Sequence, residues 1–280
     1  VNKILRKAEL APQVKLFEIE APYIADKVLP GHFVVVRVHE RGERIPFAVA
    51  DARKGGPLVI IFQEVGKSTY QMGSMNEGEY LLDVIGPLGR PSYVSKFGTV
   101  VCIGGGLGIP PLFPITRALK RIGNRTVSIL GARTKRLVIL EDWMREVSDE
   151  LHITTDDGSY GRKGFVSDEL KRLIVGGMVM DRVVAIGPTV MMKAVSELTK
   201  PYGIKTVVRL SPIMVDGTGM CGACRVEVAG ETKFACVDGP EFDGHDVNYE
   251  LLLARQNMYL SQEKESMELF EREYTGGRAG

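Results

Sequence analysis

The sequence lacks any apolar run approaching the ~20 residues of a membrane-spanning helix, and no signal-peptide core opens it. A soluble, cytoplasmic protein with no membrane contact is therefore expected. A charge excess of one sign is also missing: 36 Lys+Arg face 35 Asp+Glu, for a formal net charge of +1. A dedicated nucleic-acid binder needs a basic stripe against phosphate, so nucleic acid is not an expected partner. Cysteine is scarce, with four in 280 residues, which excludes a disulfide scaffold. The four histidines, His32, His39, His152 and His245, are scattered, and only His245 lies near a cysteine. What remains is ordinary globular material, 44% hydrophobic and 25% charged, enough for two or three compact units.

Residues 1–96 read as short strands punctuated by Gly and Pro: Lys15–Glu20, Phe33–Val38, Leu58–Phe62 and Tyr80–Val84, the last leading into Gly86-Pro87-Leu88-Gly89. This pattern predicts a small antiparallel barrel. Over residues 97–205 the pattern changes. Strands at Thr99–Ile103, Thr126–Leu130, His152–Thr155 and Arg182–Ile186 alternate with helical stretches, among them one ending near Ile122, Ser167–Ile174 and Val190–Leu198. Such alternation predicts βαβ units, with helices on both faces of a parallel sheet. A third piece, 206–250, has a strand at Thr206–Leu210, a glycine-rich cysteine loop and a hairpin around Arg225–Phe234. Residues 251–280 complete the chain as a helical tail, with a frayed end expected at Thr275–Gly280. The fold class is α+β and multi-domain: an antiparallel barrel, a parallel-sheet α/β domain and a small cysteine-bearing lobe.

Three of the four cysteines, Cys221, Cys224 and Cys236, cluster after Asp216-Gly217-Thr218-Gly219-Met220. Plant-type [2Fe–2S] loops space their ligands C-x4-C-x2-C…C, and counting back from Cys221 lands on Asp216. The pattern becomes D-x4-C-x2-C-x11-C, with a carboxylate in the first ligand position. Gly217, Gly219 and Gly222 suit a close backbone approach to inorganic sulfide, whose charge amide N–H groups stabilise. A zinc site from the same four residues is the rival reading. Asp216 as the cap of a turn is the rival to its being a ligand. The remaining cysteine, Cys102, reads as a buried strand residue.

Gly104-Gly105-Gly106-Leu107-Gly108 follows an apolar strand and opens a helix with Pro110-Pro111 in its first turn, a favourable seat for a pyrophosphate. It is not the G-x-G-x-x-G fingerprint, because Ile109 stands where the last glycine would be. The stretch Thr154-Thr155-Asp156-Asp157-Gly158-Ser159-Tyr160-Gly161 and the stretch Gly187-Pro188-Thr189-Val190-Met191-Met192 follow two further strands. Three such loops at the carboxyl ends of parallel strands mark one ligand crevice.

With barrel, nucleotide domain and [2Fe–2S]-type loop in that order, the chain resembles the ferredoxin–NADP reductase superfamily. Within it, the order is similar to the electron-transfer subunit of dihydroorotate dehydrogenase. It is closer still to the small (alpha) subunit family of NADH-dependent reduced ferredoxin:NADP oxidoreductase, also known as a sulfide dehydrogenase subunit. The Asp-for-Cys exchange at Asp216 and the stretch Phe234-Ala235-Cys236-Val237-Asp238-Gly239-Pro240-Glu241-Phe242 carry that narrowing.

The resemblance implies FAD. Arg44 would hold its pyrophosphate, and Pro46, Phe47, Ala48 and Val49 would run beside the isoalloxazine, as bidentate guanidinium contacts suit phosphate. Ala48 departs from the Ser or Thr usual there. Gly66, Lys67, Ser68 and Thr69 match the second flavin segment. Gly104, Gly105, Gly106, Gly108, Asp156, Gly158, Gly187, Pro188 and Met191 match the segments for NAD(H) or NADP(H), and Ile186 replaces a common Cys. Asp216, Cys221, Cys224 and Cys236 would ligate the cluster. Hydride would pass between nicotinamide and flavin, and single electrons between flavin and cluster, with no protein acid–base group as catalyst. The implied partner is a larger flavin and iron–sulfur subunit in a heterodimer that bifurcates electrons, with ferredoxin reached through it. The C-terminal helices, with Leu251, Leu252, Leu253, Met258 and Leu260, are candidates for that contact. Arg133, Lys135 and Arg136 would suit a 2′-phosphate. The rivals are a dihydroorotate dehydrogenase subunit and a zinc-stabilised docking module without activity.

Overall fold

The computed structural model describes residues 2–276. Strands β1 (Ile4–Ala11) and β2 (Val14–Ile19) pair as a hairpin with Ala11 opposite Val14, turned through Pro12 and a left-handed Gln13. A short helix α1 (Pro22–Ala25) precedes β3 (Phe33–Arg37), β4 (Ile45–Ala52) and β5 (Leu58–Gln63). Helix α2 (Lys67–Ser74) then leads to β6 (Asp83–Leu88). The six strands form an antiparallel sheet in the order β1-β2-β5-β4-β3-β6, and a bridge between Lys3 and Tyr80 brings its edges together as a barrel. Its interior buries Phe17, Ile19, Val34, Ile60 and Phe62, with Met72 of α2 fully enclosed among them. Phe17 and Phe62 meet edge to face with centroids 5.1 Å apart.

The last barrel strand differs from the sequence expectation. It starts at Asp83, where Arg37 fixes the register with a 2.6 Å ion pair, and runs through Gly86-Pro87 instead of ending at Val84. A register irregularity between Phe33 and Val35 accommodates the missing Pro87 N–H. Helix α2 was also not foreseen: Gly66 and Gly73 flank or interrupt it, and only Ser68, Met72 and Gly73 are buried.

The second unit runs β7 (Thr99–Gly105), α3 (Ile109–Arg121), β8 (Arg125–Ala132), α4 (Glu141–Val147), β9 (Glu150–Thr155), β10 (Arg162–Lys163), α5 (Val166–Val175), β11 (Arg182–Ile186), α6 (Thr189–Thr199) and β12 (Thr206–Arg209). Successive residues of β7 point to opposite faces. Val101 and Ile103 meet Leu170 and Leu173 of α5 and Met192 and Val195 of α6. Val100 and Cys102 meet Leu112 and Leu119 of α3 and Met144 and Val147 of α4. That second cluster continues into Leu16, Ala50 and Ile61 on the outside of the barrel, so α3 is the seam between the two units. Arg117 of α3 closes it with a 2.6 Å ion pair to Asp51 of β4.

The cysteine segment contains the hairpin β13 (Arg225–Val228) and β14 (Glu231–Phe234), then β15 (Glu241–Asp243) and helices α7 (Tyr249–Gln256) and α8 (Leu260–Gly276). The boundary expected at 205/206 differs from the structure. Strand β12 pairs parallel to β11, and β15 pairs antiparallel to β12, giving one sheet in the order β10-β9-β8-β7-β11-β12-β15. The boundary at 250/251 cuts through α7, which buries Tyr249 and Leu252. Thr275 and Gly276 belong to helix α8, and the rest of the expected frayed end, residues 277–280, lies outside the described residues. Among the described residues no helix is long and apolar enough to cross a membrane.

Candidate functional site

The parallel strands β7, β9 and β11 end on one edge of the sheet, where the glycine loops after β7 and β11 pack against each other. The loop after β7 turns through Gly106–Gly108 into α3. Gly108 lies so close to the end of β11 that an added Cβ would stand 2.0 Å from the Ile186 carbonyl oxygen. Gly187, Pro188 and Met191 pack on the same turn: the Met191 sulfur would be 2.5 Å from a Cβ on Gly105. Asp156 and Gly158 follow β9, two strands from β7 with β8 between them. The amide of Asp156 donates to Ala132 O at 3.1 Å, and Ser159 accepts from the Lys135 amide at 2.8 Å. The structure thereby brings Asp156 and Gly158 against the basic turn of Arg133 and Lys135. Lys135 lies over the ring of Tyr160, 5.1 Å from its centroid, and the Tyr160 hydroxyl donates to Glu141 at 3.1 Å. Tyr160 lies in the loop that the sequence singles out, but its partner Glu141, 19 residues away, is joined to it only by tertiary contact.

The flavin-type segments meet on the barrel. Ser68 donates a 2.5 Å hydrogen bond to Glu43, which ties the start of α2 to the residue before Arg44. Thr69 accepts from the amides of Val65 and Gly66, each at 3.0 Å, and so shapes the turn into the helix. Arg44 is exposed and has neither a hydrogen bond nor an ion pair among the described residues. Phe47 and Val49 point into the barrel, whereas Pro46 and Ala48 remain half-buried on the other side. An unpaired guanidinium beside a helix N-terminus fits a bridging diphosphate.

In the cysteine loop, Gly217, Gly219 and Gly222 take φ of +74°, +88° and +66°, a conformation that L side chains avoid. Gly217 rests on the barrel, where an added Cβ would approach Leu88 at 2.9 Å and Val35 at 3.0 Å. Cys224 and Cys236 are buried with their sulfurs 3.2 Å apart, and the Cys236 amide points at Cys224 Sγ at 3.5 Å. Burial and the Cys224 thiol push the Cys236 thiol up to about 12, so a metal must displace that proton. Cys221 is exposed. Asp216 accepts from the amides of Thr218 and Cys221, both at 2.8 Å, and these bonds hold its carboxyl below the usual range.

In this structure Asp216 caps the turn. Among the described residues no three His, Cys, Asp or Glu side chains gather around a single-ion site. His245 is excluded from the loop, since its Nε2 contacts Thr199 at 2.9 Å. A thiol-rich loop with left-handed glycines fits a cluster with bridging sulfide better than a compact zinc ion. Cys102 is buried and its thiol is pushed up to about 12, as suits an inert core residue.

The comparisons agree with this layout. A family model described as the iron-sulfur cluster binding domain of dihydroorotate dehydrogenase B matches residues 211–248. A Thermotoga maritima protein described as "Dihydroorotate dehydrogenase B (NAD(+)), electron transfer subunit homolog" is 47% identical over 271 residues, spanning 96% of this chain and 95% of its own. The Fusobacterium nucleatum dihydroorotate dehydrogenase B electron transfer subunit is 32% identical over 252 residues, spanning 86% and 95%. A solved structure described as giving insights into flavin-based electron bifurcation, from an NADH-dependent reduced ferredoxin-NADP oxidoreductase, is 45% identical. It superposes with a TM-score of 0.92 over 96% of this chain and 98% of that one. Phthalate dioxygenase reductase, at 20% identity and a TM-score of 0.57 over 81% of this chain and 85% of that one, shares the fold. The chain belongs to the family of dihydroorotate dehydrogenase B electron-transfer subunits and their homologues, within the ferredoxin–NADP reductase-like superfamily.

Proposed function

We propose that this chain is the electron-transfer subunit of an NADH-dependent reduced ferredoxin:NADP oxidoreductase, working with a larger flavin and iron–sulfur subunit. The observation that carries this reading is the seat of the cysteine loop. Gly217 lies against Val35 of β3 and Leu88 of β6, and β3 pairs with β4, which bears the Arg44–Val49 flavin segment. Flavin and sulfur sites therefore share one wall of the barrel, with the nucleotide loops across the α3 seam. FAD, when bound, supplies the step between a two-electron hydride donor and a one-electron [2Fe–2S] cluster.

The protein's part is placement. Arg44 and the start of α2 would hold the diphosphate, and Ala48 would line the ring without a hydroxyl to donate to it. Gly106 and Gly108 would let a nicotinamide nucleotide approach the start of α3. Cys221, Cys224 and Cys236 would hold the cluster, with Asp216 as the fourth ligand or as the cap of its loop.

A dihydroorotate dehydrogenase subunit is the second reading, favoured by the family match over 211–248. The Asp in the first ligand position and the 45% identity to the bifurcating oxidoreductase favour the first. Anaerobically purified protein tests both: flavin bands, iron and sulfide, and reduction by NADH are expected. Co-purification with a subunit that reduces NADP from reduced ferredoxin supports the first reading, and dihydroorotate-dependent reduction of NAD supports the second. A colourless protein holding zinc defeats both.

A further inference from the structure

A cleft of about 250 Å³ opens beside the cysteine loop, lined by Cys221, Gly222, Ala223, Arg225, Arg255, Met258 and Tyr259 among others. Both charged residues in it are arginines, and no carboxylate lines it. Arg255 donates from Nη2 to the Ala223 carbonyl at 3.0 Å, and Arg225 donates from Nη1 to the Gly222 carbonyl at 3.5 Å. These two carbonyls belong to the residues between Cys221 and Cys224. A trans peptide carries its C=O and N–H in opposite directions. With both carbonyls drawn outward to guanidinium, the amides of Ala223 and Cys224 are directed inward, and neither has a backbone acceptor among the described residues.

Arg255 is held where this requires. Asn248 caps α7 by accepting from the Leu251 amide at 3.0 Å, and Leu252 and Tyr249 are buried. The Tyr249 hydroxyl shares a 2.8 Å hydrogen bond with Ser196 of α6. The Arg255 Nε is buried without a partner, an expense that a purely structural salt bridge would not leave in place.

We propose that Arg255, supported by Arg225, is a positioning residue for the sulfur centre. It holds the Cys221–Cys224 turn with carbonyls outward and amides inward, and its charge favours the reduced cluster. The proposal rests on the cluster reading above. Amide donors and a nearby cation stabilise added negative charge, so both contributions raise the midpoint potential.

The test is a redox titration of the full chain followed by electron paramagnetic resonance, with iron and sulfide assayed on each sample. R255Q is expected to titrate at a more negative potential, with a roughly two- to tenfold lower reduced-to-oxidised ratio at fixed ambient potential. R255K, which keeps the charge but not the planar fork, is expected to fall between R255Q and the native protein. R225Q, acting over the longer contact, is expected to shift less and in the same direction. An iron-loaded R255Q that titrates with the native protein overturns the proposal, even if its melting temperature has dropped. If R255Q loses its iron, R225Q decides, and an unmoved potential there overturns it. Native protein without iron or sulfide overturns the cluster reading instead.

Discussion

Thr189, the first residue of α6, donates a 2.8 Å hydrogen bond to Gln256, the last residue of α7. Gln256 in turn donates to the Ser211 carbonyl at 2.9 Å, where the cysteine segment leaves β12. Its neighbour Arg255 reaches Ala223 within that segment. One helix end therefore touches both the loop that follows β11 and the loop that carries the cysteines.

Replacing Gln256 with Ala should cost about 1 kcal/mol in urea unfolding, because one half-buried and one exposed hydrogen bond go with it. Hydrogen exchange should quicken at Ser211–Met214 and at the start of α6, while the barrel amides stay protected. Unchanged exchange at both loops would refute the link.

Arg209 is buried at 5% exposure and donates to the Gly31 carbonyl at 2.5 Å, with burial pulling its pKa down to about 10. It faces Glu241, whose carboxyl accepts from Ser92 and is pushed above its ordinary 4.5 by burial. Removing the guanidinium as R209M loses the bond to the buried Gly31 carbonyl and leaves Arg182 as the remaining cation acting on that acid, an expected loss of about 1–3 kcal/mol at neutral pH. The sign with pH follows from the raised carboxyl. Its contribution is greatest below 4.5 and is lost as pH rises through the folded-state pKa. E241Q should flatten the melting temperature against pH above 4.5, and R209M should steepen its decline. Parallel curves for all three proteins would count against the charge coupling of Arg209 and Glu241.

Gly108→Ala sets a methyl group 2.0 Å from the Ile186 oxygen, so the start of α3 must move. A destabilisation of about 1–3 kcal/mol is expected, together with slower flavin reduction by NADH. Stopped-flow reduction alongside thermal melting reads both. A variant that melts and reduces as the native protein does would show that the two loops are not in contact.

Arg44→Ala should behave in the opposite way. With no protein partner to lose, its melting temperature without flavin should match the native protein. FAD should dissociate about ten- to hundredfold more readily, the value of a charged hydrogen bond to phosphate. Equal FAD affinity in fluorescence titration would remove Arg44 from the flavin site.

Asp216→Cys decides between ligand and cap. If the carboxylate ligates iron, the midpoint potential and the resonance signal both change, because thiolate is softer than carboxylate. If it only caps the turn, the variant loses the bonds to Thr218 and Cys221 and melts lower, with both signals where they were.

The strands of the parallel sheet were legible because Val100–Ile103 and Val183–Ile186 are continuous apolar runs followed by glycine. Arg182–Ile186 lies where it was expected. The cysteine loop was legible from spacing alone. What stayed hidden depends on distant partners. Asp83 starts β6 because Arg37 pairs with it 46 residues away, and nothing near Val84 signals that. Gly86-Pro87 reads as a strand end until the irregularity in β3 opposite it is seen. Helix α4 is only seven residues long, and its core contacts are Met144 and Val147. The contact of Arg255 was invisible for the same reason, since it reaches a carbonyl 32 residues back.

Strand β15 returns beside β12, with Arg209 opposite Glu241 and the Leu210 amide bonded to the Pro240 carbonyl at 2.9 Å. Residues 211–240 thus leave and re-enter the same edge of one sheet, in the manner of a long hairpin. Such an insert has a closed base, so it cannot swing on a tether as a domain joined by a single linker does. The distance between its sulfurs and the barrel wall is set by the rigidity of the sheet, and electron flow through it needs no search by a mobile arm. The same closure makes the insert a unit that a different redox centre could replace without redesigning the nucleotide domain beneath it.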